Sequence, residues 1–460
     1  MGSKKNAWLK FDDAKKQEIF HVCEGYKKYI SDCKTERESI KGAISLAEAK
    51  GYRDLKNVIS TGESLKAGDK VYYNNMDKSL ALFLIGSESI ESGMRIIGSH
   101  VDSPRLDLKP NPLYEDSELS LMETHYYGGV KKYQWVTIPL ALHGVVVKKD
   151  GTKIDVVVGE EETDPVVMVS DLLIHLAAEQ QQKKAAEVIA GEDLNILVGS
   201  MPLEGEEKEA VKANILKLLK EKYDFEEEDF MSAEIEIVPA GKARDLGLDR
   251  SMVAGYGHDD RICAYTSLLA LLETESVKKT SVVLLVDKEE VGSIGATGMQ
   301  SRFFENAVAE LMDRVGEYSE LKLRRALANS KMLSSDVTAA FDPNYAGAYE
   351  KKNSAFFGKG LAFAKYTGAR GKSGCNDANA EFVAWLRNVM DESDVSYQMA
   401  ELGKVDQGGG GTIAYILAEY GMEVIDCGVA LQNMHAPWEV ASKVDIYETM
   451  RGYKAFLIAE

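Results

Sequence analysis

Four short apolar runs in this chain end in the same chemical way. Arg95-Ile-Ile-Gly-Ser leads into His100-Val-Asp102, Ser281 to Val286 into Asp287-Lys-Glu289-Glu290, Lys331-Met-Leu-Ser-Ser into Asp336, and Val424 to Asn433 into Met434-His435. Runs of this length, apolar throughout and closed by polar residues, read as strands buried on both faces. Amphipathic segments at 259–275, 301–318, 376–391, 411–420 and 437–460 read as helices between them. Such alternation predicts a three-layer α/β domain with a mostly parallel mixed sheet. Ligands of open α/β sheets bind outside the carboxyl ends of the strands, so the four polar ends are expected to converge.

Elsewhere the texture varies. Residues 12 to about 50 carry apolar positions at helical spacing, and SLALFLIG followed by MRIIGSH reads as two neighbouring strands. Between about 108 and 240 the strands are shorter, as in KIDVVVG and SAEIEIVP, with a helix expected around SDLLIHLAAEQQQKKAAEVIA and acidic segments EGEEKEA and DFEEEDF. This α+β texture predicts a second domain, 108–240, inserted into a discontinuous one formed by 1–107 and 241–460. At roughly 150 residues per domain, 460 residues accommodate both.

Charge narrows the function. Lys and Arg number 55 against 74 Asp and Glu, a net charge of −19, which repels phosphate backbones and anionic lipid, so neither nucleic acid nor membrane is an expected partner. No apolar run approaches the roughly 18 residues of a membrane span, and MGSKKNAWLKFDDAKK has no apolar signal core. Five scattered cysteines, without a CxxC pair, read as reduced thiols. A cytoplasmic location is expected.

Each polar end has an ordinary reading of its own. His-x-Asp makes a local hydrogen-bonded pair, Glu289-Glu290 makes an acidic turn, and Asp259-Asp260 before an apolar helix makes a cap that suits the helix dipole. Together, two histidines and three or more carboxylates at strand ends suit one or two zinc-type ions with open coordination positions. Cysteine is absent from these motifs, which favours a catalytic over a structural metal.

The segments GSHVDSPRLDLKP, YGHDDRICAYTSLLAL, DKEEVGSIGATGMQS, SSDVTAAFDPNY, GGGGTIAYILA and NMHAPWEVASKVDIYETMRGYKAFL resemble, in order and spacing, the aspartyl aminopeptidase family of dinuclear zinc metallo-aminopeptidases. The resemblance runs over nearly the whole chain. It implies a zinc-peptidase α/β domain carrying an inserted dimerisation domain, and peptide substrates cut at the N-terminal residue. It makes Asp259 the carboxylate bridging two divalent ions, one held by His100 and Asp336, the other by Glu290 and His435. Glu289 matches the general base, and Asp102 the carboxylate that hydrogen-bonds the second nitrogen of His100. Zinc is the first expectation, although cobalt and manganese also accept imidazole and carboxylate.

Lys365 and His175 resemble family positions that contact substrate or stabilise the developing oxyanion; a strand-end lysine and a histidine on an apolar helix are equally often structural. The family name implies acidic N-terminal residues, for which Lys365, Arg370 and Lys372 are candidate basic groups. After Tyr127-Gly-Gly, the stretch VKKYQWVTIPL departs from the tryptophan-rich continuation of animal members, which bears on substrate preference. His21, His125 and His143 read as structural, and His258, beside Asp259, as a group supporting a ligand. A homo-oligomer, typically a tetrahedral dodecamer, is implied. The competing functions are a dinuclear carboxypeptidase or amide deacylase, and a non-catalytic assembly protein, against which the intact Glu289 argues.

Overall fold

The computed structural model describes residues 5–460. The chain forms two compact units: one runs up to Asp102 and takes in Ala243–Met434 and Glu439–Glu460, and the other comprises Ser103–Lys242 with His435–Trp438.

The first unit is built on a nine-stranded mixed sheet. Its centre is parallel: Ser281–Val286 pairs with Arg95–His100, which pairs with Lys331–Ser335, which pairs with Glu423–Gly428. These strands are almost wholly buried, because helices cover both faces, and this is why their sequences are continuous apolar runs rather than alternating ones. One apolar layer lies on each side. Leu82, Ile97, Val283 and Leu333 point to a layer with the helices Glu36–Glu48, His258–Leu272 and Lys443–Ile458. Ile96, Val282, Leu284 and Met332 point to one with Phe303–Val315 and Glu320–Ala328.

Two expectations about this unit change. The strands Ser79–Leu84 and Arg95–His100 are not neighbours, because Ser281–Val286 lies between them, antiparallel to the first and parallel to the second. The last helix begins at Lys443 rather than 437; Glu439–Ser442 is a strand paired with Met252–Gly255 in a separate five-stranded sheet.

The second unit holds a seven-stranded sheet, antiparallel at every pairing, and the helix Ala210–Tyr223. No α-helix forms around His175. The segment contains only the short 3-10 turns Ile174–Leu176 and Gln180–Gln182. Asp171 explains the difference: its Oδ1 accepts from the Leu172 N–H at 2.8 Å and from Gln180 Nε2 at 2.9 Å, closing the chain into a loop that competes with a helix. No described helix is long and apolar enough to cross a membrane.

Candidate metal centre and active site

Strand register brings the site together. Val286 lies beside His100, and Ser335 beside Cys427, so the residues that follow leave the sheet at one edge. Asp336 is tied there by its N–H, which donates to the Cys427 carbonyl at 2.8 Å. The next residue on that strand must be glycine: a Cβ at Gly428 would lie 2.0 Å from the Asp336 carbonyl oxygen and 2.9 Å from Cys263 Sγ. Beyond Asp287, Lys288 takes a left-handed conformation (φ 69°), and Glu289–Val291 forms a 3-10 turn that presents both glutamates.

His100 is 2% exposed, and its two nitrogens have different surroundings. Nδ1 lies 2.9 Å from the backbone carbonyl of Asp102, an oxygen that can only accept, so Nδ1 carries the proton. Nε2 faces Asp259 Oδ1 at 3.2 Å, Glu289 Oε2 at 3.7 Å and Asp336 Oδ1 at 3.8 Å. The Asp102 carboxylate lies 3.3 Å from His100 Nδ1, and it also accepts from the backbone N–H groups of Glu289 and Glu290, each at 3.2 Å. It thus braces the turn bearing the glutamates as well as the imidazole.

Asp259 and Asp260 open the helix His258–Leu272, and both are buried. The Asp259 N–H donates to Glu439 Oε2 at 3.0 Å. Glu439, 1% exposed, was not singled out in the sequence; its only signal is its position four residues after His435. In the sequence Asp260 stands out only together with Asp259, as a pair opening a helix. It has no N–H or O–H donor on either carboxylate oxygen, and its ligand atoms lie within 4.8 Å of those of His100 and Asp336. His100, Glu289 and Glu290 form a second such group.

These groups repel one another electrostatically. Burial, then the charges of Asp336, Asp102 and Asp259, push Glu289 up to about 8 against the opposing pull of His100. Burial and the Asp259 charge likewise raise Asp336, and burial and Asp336 raise Asp260. Burial opposes protonation of His100, but hydrogen bonding to Asp102, Asp259 and Asp336 outweighs it and raises this group too. A buried cluster of mutually repelling carboxylates around one imidazole nitrogen fits divalent cations, which relieve the repulsion, displace the imidazole proton and match the donor types of a zinc site.

His435 belongs to the second unit, where its Nδ1 donates to the Gly129 carbonyl at 2.9 Å and leaves Nε2 with its lone pair. His175 is exposed, not set on an apolar helix, among the exposed Leu172, Leu173, Ile174 and Leu176. Lys365 follows the strand Leu361–Ala364 and binds Asp377. His143 is buried against Glu160, His21 and His125 are exposed, and His258 is buried between the Tyr26 hydroxyl and the Val253 carbonyl.

The sequence model of the family described as Aminopeptidase I zinc metalloprotease (M18) matches residues 29–457. The chain belongs to the M18 peptidases. It is 66% identical over 454 residues to a probable M18 family aminopeptidase 1 of Clostridium acetobutylicum, covering 98% of each chain. Its fold matches the crystal structure of an M18 aminopeptidase from Thermotoga maritima with a TM-score of 0.95 at 44% identity, over 99% of each chain. A dodecamer, that of S. cerevisiae mApe1, shares the fold at 20% identity and a TM-score of 0.77, covering 95% of this chain and 96% of that one. This M18 chain is therefore an aminopeptidase of a zinc metalloprotease family, and the α/β architecture expected of it is the one observed.

Proposed function

We propose that this M18 aminopeptidase hydrolyses the N-terminal residue from peptides at a two-metal site. His100 and Asp336 would hold one divalent ion, Glu290 and His435 the other, with Asp259 shared between them. The grouping of Asp259, Glu289 and Asp336 around His100 Nε2, at 3.2–3.8 Å, carries the reading. The assignments of Asp259 as bridge and of His435 rest on the family resemblance. Ions so held supply Lewis-acid polarisation of the scissile carbonyl and a lowered pKa for water.

The chain's own residues do the rest. Glu289 accepts the proton of the attacking water and returns it to the leaving amine, so its carboxylate must be free of a metal while that of its neighbour Glu290 is engaged. Asp102 holds the turn so that both orientations persist. A free α-amino group would take an open coordination position, which restricts cleavage to the chain end. The segment 108–240 serves as a dimerisation and lid domain; the exposed apolar residues around His175 support an intersubunit contact there, in an assembly like the yeast dodecamer. His175 would reach a neighbouring subunit's site. Five free cysteines agree with a cytoplasmic enzyme.

The test uses aminoacyl p-nitroanilides with free and acetylated amines, alongside metal analysis. Cleavage of the free-amine compounds alone, loss of activity on chelation, and about two divalent ions per chain are expected. Cleavage of the acetylated compounds would favour a deacylase, and cleavage from the opposite end a carboxypeptidase.

A further inference from the structure

Asp259 and Asp260 stand at the start of a helix, but the helix does not aim them. Asp259 has φ −81° and ψ 106°, and Asp260 has φ −118° and ψ 26°, so unbroken helical geometry runs only from Arg261 onward. On their other side Gly257 is left-handed, with φ 71°. Two carboxylates on irregular backbone need ties from elsewhere. The Asp259 N–H on Glu439 is one such tie, and the Arg261 side chain supplies another.

The Arg261 guanidinium folds back along its own chain. Nε donates to the Gly257 carbonyl at 3.1 Å, Nη2 to the Tyr256 carbonyl at 2.8 Å and Nη1 to the Cys33 carbonyl at 2.6 Å. The side chain thus closes a ring from Arg261 back to Gly257, and the residues spanning that ring are His258, Asp259 and Asp260. Through Cys33 the ring is fastened to the end of the helix Asp13–Asp32. Gly257 leaves no room for a side chain, since a Cβ there would lie 1.7 Å from Arg261 Nη2.

Burial makes this arrangement costly. Arg261 is 0% exposed, and its hydrogen-bond partners are all backbone carbonyls rather than carboxylates. Taking a guanidinium out of water forfeits hydration that an aliphatic side chain of similar volume never had. An aliphatic group, however, cannot satisfy carbonyls from three directions at once, whereas the planar fork of arginine can. Charge-assisted hydrogen bonds also hold their acceptors more strongly than neutral ones.

We propose that Arg261 is a positioning residue of the metal centre, a clamp on the backbone of Tyr256 and Gly257 that sets where the carboxylates of Asp259 and Asp260 point. It acts through Asp259, and so rests on the two-metal reading in which Asp259 is shared by both ions.

The experiment measures zinc affinity of the full chain by competition with a fluorescent chelator, and the visible absorption of the cobalt-loaded protein, which reports ligand geometry. The variants are Arg261→Met, Arg261→Lys and Gly257→Ala, with Leu323→Ala as a control that opens a cavity in the apolar layer on the other face of the sheet. Arg261→Met should weaken zinc binding by about 10–100-fold, the scale of losing a group that orients a ligand, and should change the cobalt spectrum. Arg261→Lys keeps the charge but not the fork, so its loss should be smaller. Gly257→Ala keeps every donor but drives the guanidinium aside, and should shift both readouts in the direction of Arg261→Met. Leu323→Ala should lower resistance to urea while leaving zinc affinity and the cobalt spectrum as in the wild type. Wild-type affinity and spectrum in Arg261→Lys and Gly257→Ala overturn the inference alone, whether or not Arg261→Met folds. An equal loss of zinc affinity in Leu323→Ala overturns it too, because the effect is then general destabilisation. A wild type that binds zinc no more tightly than Asp259→Ala overturns the two-metal reading and the inference with it.

Discussion

The backbone N–H of Glu289 donates to Asp102 Oδ1, while the carbonyl of the same Asp102 takes the Nδ1 proton of His100. One residue thus orients both the imidazole proposed to hold a metal and the turn that bears the proposed general base. Asp102→Asn keeps the shape but weakens the acceptor, and an amide group turned the other way would oppose both N–H groups. Activity should fall by about 10–100-fold, the usual cost of losing such a supporting carboxylate. Steady-state kinetics with metal analysis would check this; full activity would show that the brace is dispensable.

Glu289→Gln and Glu290→Gln should differ in kind. The first removes a proton acceptor, so kcat should drop by roughly 100-fold or more while metal content stays near normal. The second removes a ligand, so metal occupancy should drop first. Inductively coupled plasma analysis beside kcat distinguishes them, and the opposite pattern would exchange the two roles.

Asp259→Ala should impair retention of both ions, being the one ligand assigned to both. Glu439→Gln, which leaves the carboxylate of Asp259 intact but loosens its backbone, should weaken metal affinity by about 10–100-fold without abolishing binding. Competition with a fluorescent chelator measures both, and two tightly held ions in D259A would refute the bridge.

His258 gives a pH signature. Burial depresses its pKa from 6.5 to about 3, so the folded protein leaves it neutral where the unfolded chain protonates it. Its contribution to stability is therefore complete above about pH 6.5 and is lost as pH falls from there towards 3. At pH 5.5, one unit below the unfolded value, the loss is about 1.4 kcal/mol. Denaturant unfolding of wild type and His258→Gln at pH 7.5 and 5.5 should show their stability gap narrowing by about this amount; acid loss of metal affects both and cancels. An unchanged gap would mean that His258 titrates alike in both states.

His175→Ala should lower kcat by about 10–1,000-fold if its imidazole supports the developing oxyanion of another subunit. Its exposure leaves little reason for a large loss of stability. Mixing E289Q and H175A chains under exchange conditions should recover activity in hybrids that hold some sites with both groups intact. No recovery after proven exchange would argue against action across subunits.

The strand ends were legible because burial on both faces writes itself as an uninterrupted apolar run, and a charged residue breaking that run marks the edge of the sheet. His100, Asp336 and Glu289 were found in this way. Neighbour relations were not legible: nothing local in SLALFLIG says that its partner is Ser281–Val286 rather than Arg95–His100, since both present the same apolar faces. The 171–190 segment misled because its leucines and alanines fit a helical period, while one aspartate and one glutamine decide the outcome by local hydrogen bonds. Glu439 escaped because its contact depends on a backbone N–H far away in sequence.

The interposed strand Ser281–Val286 also sets an order of events during synthesis. The ribosome releases Ser79–Leu84 and Arg95–His100 early, yet the slot between them stays vacant until Ser103–Lys242, the main part of the second unit, has emerged. Sheets that depend on such distant pairing form slowly and expose unpaired edges while they wait. The strand that fills the slot is the one that delivers Glu289 and Glu290, so a nascent chain stalled before it lacks both the proposed general base and a proposed metal ligand, and carries no route to the proposed chemistry.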